Sequence, residues 1–343
     1  MKPLIIDPAA LPDRDLLVGA VLAEDARAGG KKRFAKGHRL TAEDAATLAE
    51  LDEPIHAVQL EPGEIHEDQA ALRLAAAVAG PGLERRGPSQ SRYNLVAAHK
   101  GQVRVDVDRL RAINRVPGMA VFTLHNRVAT VPGKVVTGVK ITPVATPESA
   151  LVAAERIAAG EPIVQVAPFQ PLVVGVISSE GMSDRVRQRF RDIVTRKMGW
   201  YGARVLRFVE VPPEADAVGE AVAALRADGA DVILSAGGNT IDPLDPALAA
   251  LQRMGAEMVR FGAPVHPGSM FWMAYLDETP VVNLASCGMY AKASVADLVL
   301  PTVMSGARVD IDELADLGYG GLLDRGMAFK FPPYDEDAAS EEE

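Results

Sequence analysis

The chain has 343 residues, a net charge of −10, 48% hydrophobic and 24% charged residues; these values are ordinary for a globular protein and exclude a collagen-like, mucin-like or wholly disordered chain. Length predicts two or three domains of about 100–200 residues each, and with aromatics at only 5% Ala, Val and Leu must fill their cores. The last nine residues, Asp335 to Glu343, hold six acids and no base and read as a solvated, disordered acidic tail; removing those charges leaves the body at −4, too weak a field for non-specific nucleic-acid binding.

A single cysteine, Cys287, excludes an intramolecular disulfide and a multi-cysteine zinc site and suits a reducing compartment. The start, MKPLIIDPAALPDRD, lacks the apolar core of about 7–15 residues that a signal peptide needs. No run approaches the ~18 apolar residues of a membrane span. A cytoplasmic protein is expected.

In chain order, Leu17–Glu24 reads as a strand and Phe34–His38 as a turn. Thr41 with Asp44 three residues on resembles a capping signal that opens a helix to about Leu51. Ile55–Leu60 is a strand, and His66–Ala79 an Ala-rich helix stopped by Gly80-Pro81-Gly82. Tyr93–Ala98 continues as a helix, Gly101–Val105 as a strand, and Asp106 or Asp108 caps a short helix over Val107–Asn114. Ala120–Leu124 and Lys134–Pro143 are strands, and Pro147–Ala159 is a helix. Residues 1–165 thus form a mixed α+β region of one or two subdomains, followed by a Pro-rich linker to Pro171.

Beyond it, strands and helices alternate: strand Leu172–Ser178, helix Arg185–Met198, strand Ala203–Val211, helix Ala215–Ala227, strand Asp231–Ala236, helix Pro246–Gly255, then short strands Met258–Phe261 and Pro280–Leu284. Near-continuous apolar strands alternating with helices predict a parallel sheet covered on both faces. Right-handed crossovers place the strand C-termini on one edge, where ligands bind. The fold class expected is α/β, a three-layer parallel-sheet domain over about 170–310 preceded by the α+β region, with 311–343 as a C-terminal extension.

Four loops leave that edge. Gly237-Gly238-Asn239-Thr240-Ile241-Asp242-Pro243-Leu244-Asp245 follows a buried strand and precedes a helix; two glycines permit close backbone approach, and helix-start N–H groups suit a phosphate. Asp242 and Asp245 would repel a bare phosphate but suit a metal ion beside it or the amines of a heterocycle; the alternative is an ordinary turn with Asp242 as helix cap. Val265-His266-Pro267-Gly268-Ser269 offers a turn and a hydroxyl; His266 has no second His or Cys at metal spacing. Leu284-Ala285-Ser286-Cys287-Gly288 brings Ser286 and Gly288 to the same edge, with Cys287 as a packed thiol rather than a nucleophile. Ser178-Ser179-Glu180-Gly181 leads into a helix holding Arg185, Arg187, Arg189, Arg191, Arg196 and Lys197, most simply a solvated face. Lys31-Lys32-Arg33 and Lys36-Gly37-His38 read likewise as a solvated loop. The GxGxxG, GKT/S and G-x-S-x-G patterns of dinucleotide, ATP and hydrolase sites do not occur.

The succession DVILSAGGNTIDPLD, MGAEMVRFGAPVHPGS and ETPVVNLASCG resembles the molybdopterin-binding domain found in molybdopterin molybdenumtransferases, gephyrin and molybdopterin adenylyltransferases. Gly237, Gly238, Thr240 and Asp245 match the family's Gly-Gly, hydroxyl and Asp motif. Pro267-Gly268 match its Pro-Gly, but Ser269-Met270 replace the following Lys-Pro; of Leu-Pro-Gly-Asn-Pro only Leu284 survives. VGAVLAED resembles the opening of the molybdenumtransferases, and KGHRLTAEDAATLAEL, EPGEIHEDQAALRLAAAVAG and VDRLRAINRVPGMAVFTL resemble a less characterised molybdopterin-binding group sometimes fused to a nucleotidyltransferase. Neither that domain nor a C-terminal barrel fits within the residues after Val309.

The resemblance implies a protein that binds molybdopterin or the molybdenum cofactor and acts in its biosynthesis, modification or delivery. Gly237, Gly238, Asn239 and Thr240 would cradle the phosphate, and Ser179, Glu180, Pro267, Gly268, Ser269, Ser286 and Gly288 would line the pocket. In a transferase-like enzyme, Asp245 and Asp242 would be the catalytic carboxylates and Mg²⁺ ligands, acting by electrostatics and positioning. Without the lysine replaced by Ser269, molybdate insertion next to a phosphate lacks a compensating cation. The alternatives are a non-catalytic carrier or sensor for a molybdoenzyme, or a related nucleotide-binding α/β protein. Expected partners are the pterin, a molybdoenzyme or another cofactor-biosynthesis protein, and a second copy of the chain; neither nucleic acid nor membrane is expected.

Overall fold

Contacts along the chain divide a computed structural model, which describes residues 1–89, 91–237, 242, 244–284 and 294–334, into two units. The first comprises Met1–Ala98, Val105–Leu124 and Val135–Gln165. The second takes 99–104, 125–134 and the chain from Val166 onward.

The first unit is built from short pieces. Lys2–Ile6, Ile55–Gln59 and Val21–Leu22 form a three-stranded antiparallel sheet in that order, closed over Ile6, Leu22, Leu40 and Leu48. Met119–Thr123, Val135–Ile141, Arg92–Ala97 and Leu83–Ser89 form a four-stranded antiparallel sheet. The helix Glu67–Val78 buries Ala70, Ala71, Leu74, Ala75 and Val78, its apolar side at helical spacing. Arg73 ties this helix to the helix Glu148–Ala158 through Glu155 (2.9 and 2.8 Å) and Glu148 (2.6 Å).

Three expectations are corrected here. Tyr93–Ala98 is a strand, Arg92–Ala97, hydrogen-bonded on both sides; six residues are too few to sustain a helix against two waiting partners. Leu17–Glu24 shrinks to Val21–Leu22, because Leu17 ends a short helix and Gly19 (φ +86°) turns the chain. The helix after Thr41 covers only Ala45–Leu48, since the Asp44 carboxylate turns back to accept from the Thr41 N–H (2.8 Å) and hydroxyl (3.0 Å). Asp106, of the two candidates, caps Val107–Asn114 by accepting from the Arg109 N–H (3.0 Å).

The elements of the second unit are labelled within it: β1 (Val173–Ser178), α1 (Asp184–Trp200), β2 (Arg204–Glu210), α2 (Ala215–Ala227), β3 (Val232–Ala236), α3 (Pro246–Arg253), β4 (Glu257–Phe261), β5 (Trp272–Leu276), β6 (Thr279–Leu284), α4 (Val295–Met304) and α5 (Ile311–Asp316). The sheet order is β2-β1-β3-β6-β5-β4. Adjacent strands from β2 to β6 are parallel, and β5 runs antiparallel to both neighbours. α1 and α4 cover one face with Val174, Val176, Leu234 and Val282 beneath them. α2 and α3 cover the other, over Ile177, Ile233 and Val281. This is the expected three-layer α/β fold. The unforeseen strand is β5, whose five residues are all buried, so it lacks the alternation by which a strand is read.

Also within the second unit, Gly101 and Gln102 pair antiparallel with Thr130 and Ala129. Gln102 Nε2 donates to Thr302 Oγ1 (2.6 Å), which donates to Glu313 Oε1 (2.5 Å), with Arg127 Nε 3.5 Å from Glu313 Oε2. Burial pushes the Glu313 carboxyl above its ordinary value of 4.5, against the Thr302 hydroxyl and Arg127, which pull it down. The folded state then holds this proton more tightly than the unfolded chain, so stability falls as pH rises through and just above 4.5. Glu313→Gln is expected to flatten that part of the curve of melting temperature against pH; parallel curves for both proteins would contradict it.

Candidate functional site

The strands of the second unit carry a polarity gradient. β1 and β3, and β6 after Thr279, are apolar until their last two residues, where Ser178, Ser235 and Asn283 appear, exposed by 4%, 5% and 0%. Ser235 lies opposite Asn283 in the pairing of β3 with β6, and Ser178 opposite Ala236 in the pairing of β1 with β3. The chain leaves β1 toward β2 on one side, while β3 pairs on the other. In open α/β sheets such a reversal marks the ligand crevice at the strand C-termini.

Two predicted loops meet there. The Ser179 N–H donates to Ala236 O (3.3 Å), and the Val211 N–H to Ser178 O (3.0 Å). Gly237 has φ +98°, and a Cβ on it would lie 2.7 Å from Glu180 Cγ. Only glycine lets the strand end turn in this way with Glu180 against it. Asn283 Nδ2 donates to Gly237 O (2.9 Å), and its buried Oδ1 has no partner among the described residues. Ser179, Glu180 and Gly237 are thus brought together, with Asn283 beneath them. Gly238, Asn239 and Thr240 lie outside the described residues.

The two acids of the first loop do different things. Asp245, 5% exposed, is the N-cap of α3: its Oδ1 accepts from the N–H groups of Ala247 (2.9 Å) and Leu248 (3.3 Å), with Pro246 in the first turn. Asp242, assigned the cap in the simpler reading of the loop, is exposed and instead accepts from the Leu244 N–H (2.9 Å). Pro at the first helical position places the cap immediately before it, which selects Asp245. Among the described residues no group of three or more His, Cys, Asp or Glu side chains could hold a metal ion.

The second predicted loop is tied elsewhere. His266 donates its N–H to Gly321 O (2.8 Å) and accepts from the Leu323 N–H (2.8 Å). His266-Pro267 is a cis peptide. Gly268 (φ +121°) lies on Val295, the first residue of α4, whose side chain occupies the space of a Cβ. Pro267 and Ser269 are exposed, and the Ser269 carbonyl accepts from the Ala263 N–H (3.0 Å). Ser286, Cys287 and Gly288 lie outside the described residues.

The basic run of α1 is only partly a solvated face. Arg187 and Arg191 turn to Glu210 at the end of β2 (2.6 and 3.4 Å). Lys197, 6% exposed, places Nζ 2.8 Å from both oxygens of Asp297, 1% exposed. Asp297 also accepts from the Ser294 N–H (2.6 Å) and hydroxyl (2.9 Å), completing a capping box at the start of α4. The Tyr334 hydroxyl donates to Asp297 Oδ1 (2.7 Å) and lies 3.2 Å from the Tyr201 hydroxyl. Burial holds both phenols well above their ordinary range. A small cavity between Leu234, Leu284, Ser294, Asp297 and Lys197 adjoins this cluster. Ser294-Val295-Ala296-Asp297 has the spacing of a capping box and was the legible signal for it.

Residues 173–305 match the model of a family described as "Probable molybdopterin binding domain". The resemblance noted in the sequence is thereby matched over this part of the chain, which is similar to that family's domain. No curated protein matches the chain. Among solved structures it is similar to the molybdopterin biosynthesis enzyme MoaB of Thermus thermophilus, at 19% identity over 35% of this chain and 85% of that one, TM-score 0.26. The Mog protein of Mycobacterium ulcerans shares 17% identity over 44% and 96%, TM-score 0.26. The MoeA protein of Pyrococcus horikoshii shares 11% over 74% and 80%, TM-score 0.29. Among the described residues no helix is long and apolar enough to cross a membrane.

Asp245→Ala is expected to lower unfolding stability by about 1–2 kcal/mol, as lost N-caps do, and Asp245→Asn to restore most of it. Urea unfolding of the three proteins measures this. Equal losses in both variants would show that the negative charge, rather than the cap, is what the fold uses.

Proposed function

We propose that the second unit binds molybdopterin at the edge where β1, β3 and β6 end, and acts in the biosynthesis, modification or delivery of the molybdenum cofactor. The observation that carries this reading is the family match over 173–305, joined to the crevice in which Ser179, Glu180 and Gly237 meet. Asn283 Oδ1 beneath them, without a partner among the described residues, supplies an acceptor of the kind that a ring amine or an ordered water satisfies. Gly237, Gly238, Asn239 and Thr240 cradle the terminal phosphate through backbone N–H groups and neutral side-chain donors. Exposed Asp242 faces amines of the heterocycle, and Pro267, Gly268, Ser269, Ser286 and Gly288 line the remainder.

Asp245 Oδ1 accepts two N–H groups and Asp242 Oδ1 one, so a Mg²⁺ would be held through the other oxygen of each carboxylate. Asp245 also sets the start of α3. Ser269 at the place of the family's lysine favours the carrier reading over a transferase-like enzyme. A carrier in a reducing cytoplasm would exchange the cofactor with a molybdoenzyme or another cofactor-biosynthesis protein.

Trp272 in β5 and Trp200 at the end of α1, exposed by 0% and 5%, report binding by their fluorescence. Titration with molybdopterin and with the metal-loaded cofactor, with and without Mg²⁺, is expected to show saturable binding of at least one, and Asp242→Ala to weaken it. Binding without turnover identifies a carrier. Mg²⁺-dependent conversion abolished by Asp242→Ala with Asp245→Ala identifies an enzyme, and binding of neither ligand overturns the proposal.

A further inference from the structure

We propose that Tyr334 is a positioning residue for the ligand edge, so that the segment 317–334 belongs to the framework of the site. This rests on the molybdopterin-binding reading for its ligand and on geometry for everything else. The segment grips the unit at two places. At one, Gly321 and Leu323 hydrogen-bond both backbone groups of His266 at 2.8 Å, a bridge beside Leu322. At the other, the Tyr334 hydroxyl donates to Asp297 Oδ1 at 2.7 Å.

Both grips fall on elements that the proposed reading assigns to the ligand edge. His266 begins the Pro267-Gly268-Ser269 loop. Asp297 holds the Ser294 N–H and hydroxyl and thereby fixes the first turn of α4. The two elements touch, because Gly268 lies on Val295 in that turn. A continuous path therefore runs from Tyr334 through Asp297 and Val295 to Gly268, and returns through His266 to the same segment. At the first grip Leu317 and Leu323 pack on the core, and at the second Tyr334 does.

Asp297 is not held by Tyr334 alone. Lys197 Nζ reaches both of its oxygens at 2.8 Å and neutralises the buried charge. The tyrosine ring has its own neighbours, Trp200 at 5.6 Å, Tyr201 at 6.0 Å and the Lys197 ammonium at 5.2 Å. Removing only the hydroxyl thus leaves the fold its ion pair and its packing. What is lost is the constraint that aligns Asp297 with Ser294.

The test is Tyr334→Phe in the full chain, with Lys197→Arg as a variant that keeps the charge. Hydrogen exchange is followed in peptides covering 262–270 and 294–299, with 173–178 as an internal reference, alongside the molybdopterin titration at a temperature where all proteins are fully folded. Tyr334→Phe is expected to speed exchange in the first two peptides, to leave the reference unchanged and to weaken binding about fivefold, a share of one charge-assisted hydrogen bond. Lys197→Arg is expected to stay near the wild type in both. Unchanged exchange at 262–270 and 294–299, or a uniform rise that includes 173–178, overturns the proposal. If the wild type binds no molybdopterin, the functional reading fails and the exchange pattern still decides the role of Tyr334.

Discussion

A parallel strand buried on both faces can do chemistry only where it ends. Along β1, β3 and β6 the side chains are packed between two helical layers, and hydrogen bonds to neighbouring strands take up the backbone. Polar groups placed mid-strand would be desolvated without partners. Ser178, Ser235 and Asn283 stand at the one point where this constraint relaxes. The crevice between β1 and β3 then follows from connectivity: the chain departs to opposite sides, and no crossover covers the gap. The turn at Gly237 is a consequence of the same crowding, because Glu180 fills the space that any larger residue would need.

The Lys197–Asp297 pair carries a second constraint. Taking two charges out of water costs several kcal/mol per ion, and attraction alone rarely offsets this. Here the carboxylate also accepts from Ser294 twice and from Tyr334, so that its lone pairs are filled. Removing one partner of such a pair costs about 3–5 kcal/mol, whereas an apolar pair of similar shape could serve the packing as well. The arrangement therefore earns its place through direction: it sets the start of α4 at an angle that packing between Val299, Leu300 and Val303 would leave free to slide.

Much of the second unit was legible from periodicity. Seven of its strands and helices, from β1 to β4, lie within a few residues of their expected positions, and β6 likewise, because continuous apolar runs bounded by Gly and Pro have few other solutions. β5 and the body of α4 were not legible from periodicity for one shared reason. Phe271–Leu276 and, apart from Leu298, Val295–Met304 are buried, so neither shows the contrast between faces on which such reading depends, and α4 holds Pro301 within it. In the first unit Tyr93–Ala98 failed differently: its state is decided by strands far away in sequence. The loops Ser179-Glu180 and Gly237 were placed on the sheet edge from order alone. The contribution of Asn283 was hidden because a single polar residue in Val281-Val282-Asn283-Leu284 has no local meaning until β3 lies beside it.

The two acids of the first loop bear on where an anion could sit. A helix N-terminus offers a limited set of unpaired N–H groups, and a carboxylate and a phosphate compete for them. Asp245 takes those of Ala247 and Leu248 and places its own negative charge at the tip of α3. The dipole of that helix is thus already matched from within the chain, and a phosphate arriving there would meet repulsion rather than free donors. On the proposed reading the phosphate binds upstream, in the Gly-Gly-Asn-Thr stretch, whose side-chain and backbone donors are neutral. The helix tip, the feature that most suggests an anion site in the bare sequence, is the part of the loop least able to act as one.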